Sequence, residues 1–191
     1  MCITDQVKSE VMLLSGQFMA QAEDRYNFWD EHIKYVVREA LILAKKYDAD
    51  AEIVELAATM HDVALIAKAG TRGDHHITGA EMAEAILQKY NYPQEKIEKV
   101  KKCVLNHRSG KNATDIEALC VADADILAHF DNVPMLLNRF FIGNDISNMT
   151  LPALRSKLKA FFDHDYNDLS ERTRQEFGGR YALICRIVLG Q

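Results

Sequence analysis

Nowhere does this chain alternate polar and apolar residues with the two-residue period of a strand, whereas apolar residues recur at three- and four-residue intervals almost throughout. Only three prolines, Pro93, Pro134 and Pro152, interrupt that rhythm. Such a pattern confines the fold to helices that each bury one stripe, so the class expected is all-α. With 191 residues, 48% of them hydrophobic and 27% charged, the chain can bury a sizeable core without disulfides. No repeat or linker divides it, and a single domain over 1–191 is expected.

The stripes place the elements. A first helix is expected from Thr4 to Glu23, with Val7, Val11, Leu14 and Phe18 inward. Tyr26, Phe28 and Trp29 then form an aromatic patch that wedges two helices together or roofs a pocket. A second helix, Asp30 to Tyr47, opens its inward stripe on His32. After a turn at Asp48–Asp50, a third runs from Ala51 to near Gly70 and contains LAATMHDVAL, in which His61 shares a stripe with Val54, Ala57, Ala58 and Leu65. His75 and His76 start the next helix, where Gly79, Ala80 and Ala83 permit close approach of a neighbour. Pro93 suits the first turn of the helix that ends on His107. The helix after it, from Asp115 to about Phe130, puts Asp123 on a stripe with Ile116, Leu119, Cys120 and Leu127. A short apolar helix to Phe141, a loop around Gly143 to Thr150, and helices over Leu151–Asp165 and Leu169–Leu189 complete the chain.

Charge and cysteine content exclude several classes. Lys and Arg (23) are outnumbered by Asp and Glu (28), and no basic stripe exists, so no nucleic-acid polymer is an expected partner. No apolar run reaches the length of a membrane span and no signal peptide is visible, so a cytoplasmic protein is expected. Cys2, Cys103, Cys120 and Cys185 lack CxxC spacing, and three lie in apolar helical runs, which suits reduced thiols.

Five successive helices carry a polar, ligand-type side chain on the stripe that faces the core: His32, His61 with Asp62, His75 or His76, His107, and Asp123. Singly, each is more often a hydrogen-bonded core group than a ligand. Together they would be a costly buried cluster unless a cation gathers them. Imidazole and carboxylate, with no thiolate, form the donor set of Fe, Mn, Ni, Co or Zn.

The order His32, His61–Asp62 and an Asp within VADAD resembles the HD-domain superfamily of metal-dependent phosphohydrolases, over roughly Tyr26 to Phe130. The resemblance implies an HD-domain-like helical bundle, with a core at about 26–130 and additional C-terminal helices at about 134–191. It also implies that the first His, the HD pair and the final Asp hold one metal, which the family spacing assigns to Asp123. Asp125 would then lie about 200° round its helix, beside a ligand or in solvent. Two further motifs, DHHITGA and LNHRSG, are similar to those of members that hold a second metal. Family spacing selects His75 in the first, the stripe favours His76, and His107 stands in the second. Ligand order resembles that of enzymes that split diadenosine tetraphosphate, while HDVALIAK lacks the glycine and lysine usual in cyclic-dinucleotide phosphodiesterases.

The resemblance implies one or two divalent transition-metal ions and attack of a metal-held water, its pKa lowered towards ~7, on a phosphoester or phosphoanhydride. The expected substrate is a nucleotide or another small phosphorylated metabolite. Asp62 would bridge two ions and orient the water. Lys68, Arg72 and Arg108 flank the ligand-bearing helix ends and are candidate phosphate clamps. Two alternatives use the same residues: a di-iron oxygenase, and a non-catalytic module that binds a nucleotide. Homo-oligomerisation is left open.

Overall fold

The computed structural model describes residues 2–22, 25–143 and 149–190, and among them there is no strand. The described residues form ten α-helices in chain order: α1 Ile3–Gln21, α2 Lys34–Tyr47, α3 Ala51–Met60, α4 Val63–Ile66, α5 His75–Lys89, α6 Gln94–Asn106, α7 Ile116–Asp131, α8 Val133–Gly143, α9 Leu151–Asp168 and α10 Glu171–Ile184. The all-α class expected from the periodicity, and the bundle with additional C-terminal helices that the resemblance implies, are the fold. Among the described residues no helix is long and apolar enough to cross a membrane. The expected end of the first helix at Glu23, and residues 144–148 of the expected loop, lie outside the described residues.

Helix α7 forms the centre. It packs against α2, α3, α6 and α10. Small residues make this arrangement feasible: Ala118, Ala122, Ala124 and Ala128 are fully buried, beside Val121 and Leu127. A helix buried on nearly every side has no solvent face, and this decides the position of its acidic residues below. Helices α5 and α6 pair closely, and at Gly79 α5 lies against the turn after α3, where a Cβ would meet the His61 carbonyl oxygen at 3.4 Å, an ordinary contact. The aromatic patch acts as a wedge against α1: Phe28 meets Phe18 and Tyr26 edge-on, each at 4.9 Å between ring centroids.

Local signals account for most boundaries. The Asp50 carboxylate caps α3 by accepting from the Glu52 and Ile53 amides, and Asp48 ends α2 in the left-handed conformation (φ 57°). Helix α6 starts at Gln94 with Pro93 as its N-cap, the Pro93 carbonyl accepting from the Lys96 and Ile97 amides. Two departures matter for the site. His32 sits in a π-helical turn, Trp29–Ile33, that precedes α2. The expected unbroken helix from Ala51 to Gly70 is instead interrupted at the HD dipeptide: α3 stops at Met60 and Asp62 adopts φ −106°, ψ 15°, outside the helical region.

Candidate metal centre

The break at Asp62 allows two adjacent residues to face one point. In a continuous helix, neighbours diverge by about 100°. Here the bridge-region backbone turns the Asp62 carboxylate back alongside His61, with Nε2 of His61 3.6 Å from Asp62 Oδ2. The same oxygen lies 3.7 Å from His32 Nε2, and the two histidine Nε2 atoms are 3.1 Å apart. The other oxygen, Oδ1, faces a second pair: His75 Nε2 at 3.3 Å and His107 Nε2 at 3.9 Å, themselves 3.1 Å apart. Asp62 therefore lies between two half-sites, one oxygen toward each.

Ring orientation is fixed from behind. Nδ1 of His61 is 2.8 Å from the Ala58 carbonyl, that of His75 is 3.0 Å from the Arg72 carbonyl, and that of His107 is 2.7 Å from the Val104 carbonyl. In each case the carbonyl three residues earlier takes the Nδ1 proton, which leaves the Nε2 lone pair directed at the centre. Burial, followed by the nearby His61, holds His107 down to about 4, so this ring is neutral at physiological pH. Burial opposes the charge on Asp62, yet His61 and His32 outweigh it and hold the carboxyl below its usual range.

The structure brings together His32, His61, Asp62, His75 and His107, and does not bring Asp123 to them. Asp123 is fully buried on another side of α7, where its carboxylate accepts from the Ser170 amide at 2.9 Å and from the Ser170 hydroxyl. Burial is the main influence on it and pushes its pKa up, unlike a carboxylate that faces a cation. The carboxylate at the centre is Asp125, expected to stand aside. Its Oδ1 lies 3.2 Å from His32 Nε2 and 3.8 Å from His61 Nε2, is buried, and makes no hydrogen bond. Burial works against its charge, but the adjacent His32, His61 and His129 hold its pKa well below the ordinary value. The correction has a simple cause. An inward stripe identifies the core only on an amphipathic helix, and α7 is buried all round.

Sequence reasoning also missed His129, one helical turn after Asp125. Its Nε2 is 3.8 Å from Asp125 Oδ1, its ring stacks on His32 at 5.7 Å, and its Nδ1 is 2.9 Å from Asp165 Oδ2 of α9. The signal was Asp125–His129 at i, i+4 on one face of α7. Burial disfavours charge at His129, but Asp165, Asp125 and Asp62 overcome it and raise its pKa to about 9: the field at this point favours a cation. His76 points elsewhere, its Nδ1 buried without a partner, its pKa lowered by burial and then by Arg108.

Of the three candidate clamps, Arg108 donates to the Gly73 carbonyl at 3.2 Å, so it joins the loops that precede His75 and follow His107. Arg72 is exposed on the first of these loops. The Lys68 ammonium is instead committed to α1, donating to Gln21 at 3.2 Å and lying over the Phe18 ring.

Donor chemistry fits divalent cations. Two groups, His32–His61–Asp62 and Asp62–His75–His107, each offer three ligand atoms within 4.8 Å of one another. Close contacts between histidine nitrogens and an unbonded buried carboxylate oxygen are unfavourable without a positive charge among them. The HD-domain family model matches residues 29–129, more than half of the chain, and covers every residue of both half-sites. The chain belongs to the HD-domain family, which places it in the superfamily of metal-dependent phosphohydrolases. Neither the curated proteins nor the solved structures yield a match to it.

Proposed function

We propose that this protein is a divalent-metal-dependent hydrolase of a phosphoester or phosphoanhydride bond in a small substrate, a nucleotide or another phosphorylated metabolite. The observation that carries the reading is the position of Asp62, whose two oxygens face separate histidine pairs. His32, His61, Asp62 and Asp125 would hold one ion, and Asp62, His75 and His107 a second. When bound, such ions supply Lewis acidity toward phosphoryl oxygens and lower the pKa of a coordinated water.

The chain's own residues supply the rest. Backbone carbonyls fix the three anchored imidazoles before substrate arrives, so little reorganisation is needed at the moment of reaction. Asp62 and Asp125 enter as carboxylates and add negative charge that retains cations at the centre. Arg108 and Arg72, on the loops beside the second half-site, suit the oxygens of a phosphate, which a guanidinium binds through paired N–H donors. Arg108 is pre-oriented by Gly73.

The test is a screen of phosphorylated metabolites and nucleotides with Mn, Fe, Ni and Co each supplied, with phosphate or nucleotide release as the readout. Turnover by the wild type that disappears in Asp62→Asn, with the fold retained, is the expected result. Oxygen consumption with a substrate and no phosphate release from any phosphoester would overturn the hydrolase reading in favour of oxidative chemistry.

A further inference from the structure

The C-terminal helices lie beyond the matched residues, yet one of them reaches the centre. Asp165 on α9 is buried, and it holds Nδ1 of His129 at 2.9 Å. His129 differs from the other histidines of the site in this respect: the Nδ1 atoms of His61, His75 and His107 contact backbone carbonyls of their own segments, whereas His129 is oriented by a carboxylate from a different element. Its ring stacks nearly parallel on His32, with 22° between planes. His32, Asp125 and His129 each offer one ligand atom, and these three atoms lie within 4.8 Å of one another.

We infer that His129 is a further metal ligand of the first half-site, positioned by Asp165, so that the C-terminal helices complete the centre. This rests on the metal-site reading above. Asp165 takes the Nδ1 proton, which leaves the Nε2 lone pair as the donor, the arrangement by which carboxylates set the tautomer and basicity of metal-bound imidazoles. Asp125 Oδ1, with no hydrogen bond of its own, faces both His32 and His129. His32, His61, Asp62, Asp125 and His129 then give five protein donors, more than a tetrahedral ion accepts. That number favours Mn, Fe, Co or Ni over zinc in this half-site.

Metal affinity decides the matter independently of activity. Mn(II) titrations, followed by the electron paramagnetic resonance signal of the free ion, would compare wild type with His129→Ala, Asp165→Ala and Lys157→Ala. Loss of Asp165 is expected to weaken the first-site affinity about 10- to 100-fold, as removal of the carboxylate behind a metal-bound imidazole does, and removal of His129 itself to weaken it at least as much. Lys157→Ala, at an exposed position of α9, should leave it unchanged. In the Co(II) protein, loss of His129 should intensify the visible absorption as coordination falls. If His129→Ala does not fold, His129→Gln with an intact helical circular-dichroism signal carries the same comparison. Wild-type affinity in the folded His129 variant, while His61→Ala loses the ion, overturns the inference. Absence of phosphate release by the wild type would instead count against the hydrolase reading and leave these affinities standing.

Discussion

Asp123 and Asp125 are two residues apart, and the surroundings give them opposite tasks. Asp125→Asn should remove the ion of the first half-site while leaving thermal stability of the metal-free protein close to wild type. Asp123→Ala should retain metal but lose about 2 kcal/mol or more, because the Ser170 amide and hydroxyl are then buried without an acceptor. Elemental analysis and urea unfolding of both variants separate the roles, and an exchange of the two phenotypes would invert the assignment. Gly110 belongs to the same locality: a Cβ there would overlap the Asp123 carboxylate. Gly110→Ala is therefore expected to cost about 1–3 kcal/mol, read as a lowered urea midpoint. The cysteines give a third residue-scale test. Burial pushes the thiols of Cys103 and Cys120 up to about 12, and Cys2 is exposed. Native protein at pH 8 should thus yield rapid disulfide-reagent labelling of Cys2, with Cys103 and Cys120 reacting only after denaturation.

At the scale of elements, the attachment of α10 can be tested apart from the metal centre. Arg180 donates to Glu39 of α2 at 2.8 Å and to Asp131 at the end of α7 at 3.0 Å, and the Glu39 side chain is almost fully buried. Arg38 also contacts both carboxylates, so the cluster is a network rather than one pair. Arg180→Ala leaves two acidic groups sharing one guanidinium, and a loss of about 2 kcal/mol is expected in urea unfolding. A change within a few tenths of a kcal/mol would mean that apolar packing alone holds α10. The interruption between α3 and α4 is the other element-scale feature. Periodicity treats Leu56 to Leu65 as one apolar run, because the turn at His61–Asp62 keeps both flanks buried. The hydrophobic pattern is nearly the same with or without the break, so it was illegible in the sequence.

For the whole molecule, the histidine cluster couples cation binding to stability. In the absence of positive charge, close histidine nitrogens and the buried Asp125 oxygen remain poorly satisfied at the centre of the bundle. Chelation should lower the melting temperature and readdition should restore it. A free ion at a hundred times its Kd adds about 2.7 kcal/mol when the unfolded chain does not bind it. A melting temperature indifferent to chelator would show that no ion had been bound.

Helical periodicity determined the all-α class, and the order His32, His61–Asp62 and VADAD, with the spacing of DHHITGA and LNHRSG, pointed to the family and to His32, His61, Asp62, His75 and His107, which the structure brings together. His32 and His107 lie near the ends of their elements, where the inward direction can be read from their own neighbours, whereas at the start of α5 the stripe favoured His76 and the family spacing His75, which is the one that faces Asp62 and His107. Tertiary structure decided the remainder. On α7, buried all round, sequence spacing carries no information about which side faces the histidine cluster, so Asp123 and Asp125 could be distinguished only by what packs against each. The partners that distinguish them, Ser170 for Asp123 and the facing histidines for Asp125, come from segments far along the chain. The same holds for Asp165, which reaches His129 from 36 residues away. A local pattern records which residues avoid water; the direction from which a distant helix arrives is settled only when the core closes.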